Sequence, residues 1–135
     1  MVDAPLPPAH SPTARRVVLL LALLAGGCDM VGPRAPVYAD APAAQVARGR
    51  SLLAQYQCGS CHVIPGVAAA RGGVGPALES FGRRSYIAGE VPSNPRSLAQ
   101  WLVAPDALVP GTTMPAMGVS PDDARDMAAY LMALE

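Results

Sequence analysis

Lysine is absent: all ten basic residues of this 135-residue chain are arginines, and ten acids balance them to a formal net charge of zero. A nucleic-acid binder needs a clustered basic patch to neutralise phosphates, and the composition offers none. Histidine occurs only at His10 and His62, and cysteine only at Cys28, Cys58 and Cys61. Structural zinc requires four Cys/His-type ligands, and no second cysteine pair is present to complete such a tetrahedron. Aromatic residues are scarce, with one phenylalanine and one tryptophan, so a small core built from this chain alone is thin. Internal repeats are lacking as well. The apolar run Val17–Ala25 is far shorter than the roughly 20 residues that span a bilayer.

That run follows Arg15 and Arg16 and ends in Gly26, Gly27 and Cys28. A positive segment, a short apolar segment and small residues form an export signal, so residues 1–27 are expected to be a signal peptide. Ala25-Gly26-Gly27-Cys28 resembles a bacterial lipobox, which implies lipidation of Cys28; Ala25 stands where such boxes usually carry leucine. Ordinary cleavage, leaving a soluble periplasmic protein, is the alternative, since Ala25 and Gly27 also satisfy a small-x-small rule. Asp29 resembles the aspartate that signals retention at the inner membrane. Residues 28–43 are rich in Pro, Ala, Val and Gly without helical periodicity and read as a lipidated N-terminus and flexible tether.

Cys58-Gly59-Ser60-Cys61-His62 is the chemical centre of the sequence. C-x-x-C-H is the attachment signature of a c-type haem: two thiols add across the porphyrin vinyl groups, and the next histidine supplies the proximal nitrogen. A thioredoxin-like pair needs a βαβ setting, which the flanking segments do not offer. One such motif implies one covalent haem c. The cofactor also supplies the apolar bulk that the core lacks, so the haem-free chain is expected to be largely unfolded.

The domain at 44–135 reads as all-α. A first helix from Ala43 or Ala44 to the motif starts near Asp40 and Pro42 and places Val46, Gly49, Leu53 and Tyr56 at helical spacing. Gly49 costs about 1 kcal/mol relative to alanine there and points to close approach of another helix. Val63 to Pro92 reads as loop with at most one short helix. Asn94 and Pro95 start a second helix with Leu98, Trp101 and Leu102 on one face, closed by Pro105. The last helix has Ser120 as cap, Pro121 at the first position, and Asp122 and Asp123 in the first turn. Ala124, Met127, Ala128, Leu131 and Leu134 form its buried stripe, with Tyr130 at the margin.

Once the leader is removed His62 is the only histidine, so a second imidazole from the same chain cannot ligate the iron. Soft donors remain at Met30, Met114, Met117, Met127 and Met132. Met30 falls in the tether, and Met127 and Met132 fall in the last helix, where methionine ordinarily packs. Met114 and Met117 lie in the irregular stretch after Pro110, either able to present a thioether to iron.

Taken together, Gly49, Leu53, the C-x-x-C-H motif, Gly75-Pro76-Ala77-Leu78, Pro110-Gly111-Thr112-Thr113-Met114 and Tyr130 resemble the class I cytochrome c family over Ala44 to Leu134. The resemblance implies a small cytochrome c fold, with three to five helices around one haem and the first and last crossing at right angles. It implies that the Pro76 carbonyl accepts the His62 N–H, that Met114 rather than Met117 is the axial ligand, and that Trp101 neighbours that methionine. Arg83 or Arg84, with Arg84 the candidate, resembles the arginine that meets a haem propionate; a solvated surface pair is the alternative. The family's familiar soluble members present lysines around the haem edge, and this chain departs from them.

The function implied is one-electron transfer rather than enzymatic catalysis. Membrane-attached bacterial relatives imply a quinol-oxidising complex or dehydrogenase as donor and a terminal haem–copper oxidase as acceptor, at the periplasmic face of the inner membrane. No nucleic acid or small-molecule substrate is expected. The rival readings are a gas sensor or peroxidase-like enzyme with an open distal site, and a permanent haem subunit of an oxidase.

Overall fold

Residues 41–135 are described by the computed structural model. The expected signal peptide at 1–27, Cys28, Met30 and Asp40 lie outside the described residues. Among the described residues four α-helices follow one another: α1 (Ala43–Gln55), α2 (Pro95–Val103), α3 (Pro105–Leu108) and α4 (Pro121–Met132). Single 3-10 turns cover Cys58–Ser60 and Phe81–Arg83. Among the described residues no helix is long and apolar enough to cross a membrane.

The helix starts follow local chemistry. Asn94 is extended, and its side chain accepts the Ser97 N–H at 2.9 Å, while Pro95 occupies the first helical position, where no N–H is needed. Ser120 caps α4 in the same way, accepting the Asp123 N–H at 3.1 Å. Pro105 both ends α2 and opens α3, because a proline stops the preceding helix and suits the next one's first position. Helix α1 begins after Pro42 with no side-chain cap. Expected to run to the cysteine motif, it ends at Gln55, just short of Cys58, where Gln57 takes a left-handed φ of 55° and turns the chain out of the helix.

The long loop also differs from expectation. Tyr86–Ile87 and Val91–Pro92 pair antiparallel, Tyr86 opposite Pro92 and Ile87 opposite Val91. Ala88 and Gly89 both have positive φ, at 51° and 79°, and the Glu90 N–H returns to the Ile87 carbonyl. That is the turn whose twist suits a tight hairpin. Two residues per strand display no alternation, which is why sequence pattern missed it. The fold is otherwise helical.

Helices α1, α2 and α4 enclose the core. Leu53, Leu98, Met127 and Leu131 are its largest fully buried side chains, joined by Leu52, Trp101, Leu102, Ala124 and Ala128. Burying each leucine- or methionine-sized side chain contributes roughly 1.5–3 kcal/mol. Tyr130 is buried rather than marginal, and its hydroxyl donates to the Pro65 carbonyl at 2.5 Å, tying α4 to the loop after the motif.

Gly49 is where α1 meets α4. A β-carbon there would lie 1.9 Å from the Asp126 carbonyl oxygen, an overlap that only backbone movement could relieve. Alanine is the better helix former by about 1 kcal/mol. Overpacking costs about 1–3 kcal/mol and exceeds that gain. Gly49→Ala is expected to destabilise the domain and lower the thermal midpoint by about 10 °C; an unchanged or raised midpoint contradicts the close approach.

Beside this contact, Arg48 donates to both Asp123, at 2.6 Å, and Asp126, and the Tyr56 hydroxyl donates to Asp123 at 2.9 Å. The hydrogen bond from Tyr56, then the one from Ser120, with the Arg48 charge adding less, holds the Asp123 carboxyl below its ordinary range. A carboxylate depressed in the folded state stabilises fully above its unfolded value, about pH 4. That contribution is lost as pH falls through the lower folded value. Asp123→Asn is expected to flatten the acid limb of the thermal midpoint measured against pH; an unaltered acid limb contradicts the assignment.

Candidate cofactor site

The turn after α1 presents the motif. Cys61 and His62 both return their N–H groups to the Cys58 carbonyl, at 3.3 and 3.1 Å, and the Ser60 hydroxyl donates to the Gln57 carbonyl at 2.8 Å. The following loop is fastened to it, Gly72 N–H donating to Gly59 and Gly75 N–H to Cys61. Both thiols are free and partly buried. Burial pushes the Cys58 thiol above its ordinary value, the opposite of the thiolate-favouring setting of a redox-active pair.

Cys58, Cys61, His62, Pro76, Arg84, Trp101 and Met114 all line one cavity of about 280 Å³. The rest of its wall is mainly apolar, with Leu53, Leu78, Phe81, Ile87, Leu98 and Leu131 shared with the core. The His62 Nδ1 lies 2.7 Å from the Pro76 carbonyl oxygen. A carbonyl can only accept, so Nδ1 carries the proton and Nε2 keeps the lone pair for a metal. Gly75 backs the ring: a β-carbon there would lie 2.3 Å from the imidazole Cε1. The resemblance placed Gly75 in the Gly75–Leu78 stretch but did not anticipate this contact with the imidazole.

Met114 is half-buried in the cavity wall. Its loop turns at Gly111, whose φ is 81° and whose N–H is held by Asp106 at 2.9 Å. Met117 is 42 % exposed and does not line the cavity; Met127 and Met132 are buried in the core. Trp101 is buried on the α2 face that forms part of the wall. Arg84 lines the cavity with its guanidinium bonded to the Ala77 and Glu79 carbonyls and stacked on Phe81, 5.0 Å from the ring centre; Arg83 is exposed and outside the lining. Tyr86 and Ile87, from the unforeseen hairpin, complete the wall.

The donor set discriminates between groups. Among the described residues no three His, Cys, Asp or Glu side chains converge on a point that could hold a bare metal ion, which counts against zinc. Two adjacent thiols, one imidazole with Nε2 free, one thioether and a broad apolar wall match a porphyrin instead. A family model described as cytochrome c matches residues 46–135.

The chain belongs to the cytochrome c family. Within curated proteins it is 35% identical over 89 residues to cytochrome c oxidase subunit 2 of Alkalihalophilus pseudofirmus, covering 65% of this chain and 25% of that one. It is 31% identical over 87 residues to the same subunit of Bacillus subtilis, covering 62% and 24%. The chain thus spans about a quarter of the length of these relatives. No solved structure matches. Membership of the cytochrome c family implies haem c as the cofactor and a haem-based role in electron transfer.

Proposed function

We propose that this cytochrome c domain carries single electrons to a terminal haem–copper oxidase. One haem is bound through Cys58 and Cys61, and its iron is held by His62 and Met114. The observation that carries this reading is the single cavity uniting the motif with Met114, while Pro76 leaves His62 Nε2 free. When bound, the haem supplies a reversible ferric/ferrous couple. The protein residues set its environment. The Nδ1–H bond to Pro76 fixes the imidazole tautomer and ring orientation. The thioether of Met114 favours ferrous iron, and the leucine-rich wall limits water. If His62 and Met114 both held the iron, no coordination site would be left for a substrate and the group would pass charge alone.

The likeness to two oxidase subunits supports an oxidase as acceptor. It also favours a second reading, permanent residence within such a complex, which stable co-purification in mild detergent would support over a mobile shuttle. The donor in either case is a quinol-oxidising complex or dehydrogenase. Lipidation at Cys28 would hold the domain at the periplasmic face of the inner membrane and confine its search to that plane, raising its effective concentration at the partner. Cys28→Ser is expected to release the protein from membranes; unchanged attachment removes the anchor from the account.

Absorption spectroscopy of the matured protein tests the ligand set. Ferric protein is expected to show the weak far-red charge-transfer band of sulfur-bound iron, and ferrous protein to resist carbon monoxide. Absence of the band with rapid carbon monoxide binding favours the sensor or peroxidase-like class.

A further inference from the structure

A second hollow lies apart from the cofactor cavity: an open groove of about 970 Å³ among the start of α1, α2, α3 and α4, with no lining residue in common with the cavity. Two helices serve both. On α2, Leu98, Trp101 and Leu102 line the cavity, while Ala99 and Val103 line the groove. On α4, Leu131 lines the cavity and Ala129 and Met132 the groove, where Leu108 of α3 adds to the apolar wall. The polar lining is Gln45, Gln100, Arg96 and Arg125, and among the described residues no carboxylate joins it. Both arginines are exposed. Arg96 pairs with no carboxylate among the described residues, and Arg125 holds only Asp122, a bridge between exposed side chains that contributes little. Ala41, the first described residue, also lines the groove.

We infer that this groove holds an anionic phospholipid of the membrane, an acyl chain against the apolar wall and the phosphate against Arg96 and Arg125. Charge decides the match: two cations with no anion in the lining border an otherwise apolar surface, so the occupant is apolar along its body and anionic at one end. Guanidinium groups suit phosphate because their planar fork donates paired N–H bonds to its oxygens. The volume lies at the upper end of small-molecule sites, roughly 300–1,000 Å³, large enough for a chain with its headgroup. The membrane is the source within reach. Cys28 lies 13 positions before Ala41, a stretch that spans at most about 45 Å. Acyl chains on Cys28 would therefore keep headgroups at high effective concentration beside the groove. That proximity rests on the anchor in the proposed function; the charge and shape of the groove do not. Seating by this groove would fix how the domain stands on the bilayer while using none of the cofactor cavity's lining.

The test uses mature holoprotein, residues 28–135, exported behind a cleaved leader and carrying Cys28→Ser, so that groove and anchor fail separately. Co-sedimentation is measured with phosphatidylglycerol vesicles and with phosphatidylcholine vesicles, the haem spectrum showing that each variant is folded. Binding to phosphatidylglycerol is expected to be about tenfold tighter or more. Arg96→Gln and Arg125→Gln are each expected to weaken it about fivefold, the share of one basic residue near an anionic surface. Ala107→Glu, at an exposed groove position, is expected to abolish it, and Arg50→Gln, outside the groove, to leave it unchanged. No binding, equal binding to both vesicles, or an Arg96→Gln variant that binds like its parent overturns the inference; the anchor is judged apart, by membrane attachment of protein that keeps Cys28. Sedimentation velocity without vesicles is expected to show monomers. A dimer dispersed by Ala107→Glu would assign the groove to a second copy of this chain, and vesicle binding that appears only when residues 30–38 are deleted would assign it to the preceding segment. Either result overturns the inference too.

Discussion

His62→Ala is expected to yield no stable holoprotein, and little folded protein of any kind. Removing the imidazole deletes the one histidine on the cavity wall and leaves the Pro76 carbonyl without its N–H partner. The consequence extends beyond the iron, because Leu53, Leu98 and Leu131 belong both to the core and to the cavity wall. Without the haem those side chains lose the group they would pack against, and the whole stability of a small domain is only about 5–15 kcal/mol. Circular dichroism and haem staining of the matured variant check this. A helical, haem-loaded His62→Ala protein contradicts the assignment of His62 as proximal ligand.

Met114→Ala is expected to keep the covalent haem and lose potential. The cysteines remain to hold the porphyrin, but the soft sulfur that favours ferrous iron is gone, and water or a harder donor takes its place. Axial ligands tune haem over roughly 0.8 V, and a fall on the order of 100 mV is expected here. With 59 mV per tenfold for one electron, that weakens electron affinity about fiftyfold. Redox titration reads the shift directly, and the far-red band should vanish with it. Met117→Ala, at an exposed position outside the cavity, is expected to change neither; if it produces the fall instead, the loop presents a different sulfur.

What was readable in the sequence, and what was not, follows from how local each signal is. Ser120-Pro121-Asp122-Asp123 and Asn94-Pro95 specify their helix starts through side-chain caps and proline geometry within one turn, and both appear where expected. Gly49 anticipated a helix contact because a glycine in a helix is costly without one, and the Asp126 carbonyl is that contact. The break at Gln57 left no trace, since glutamine carries no preference for a left-handed φ; the fastening of the loop to the motif imposes it. The Tyr86–Pro92 hairpin was equally silent, with Ala88 adopting a positive φ that sequence would assign to glycine. The C-x-x-C-H motif declared the chemistry outright. The placement of Gly75 against the imidazole and of Tyr86 in the cavity wall are tertiary facts, which no short window encodes.

The most direct test of the central claim is mass spectrometry of the peptide spanning residues 58–62, released by proteolysis from protein matured in a periplasm that attaches haem. The account predicts that this peptide carries the intact macrocycle through two thioether bonds, at Cys58 and Cys61, resistant to acid extraction. An unmodified peptide, or one joined only by a Cys58–Cys61 disulfide, contradicts it.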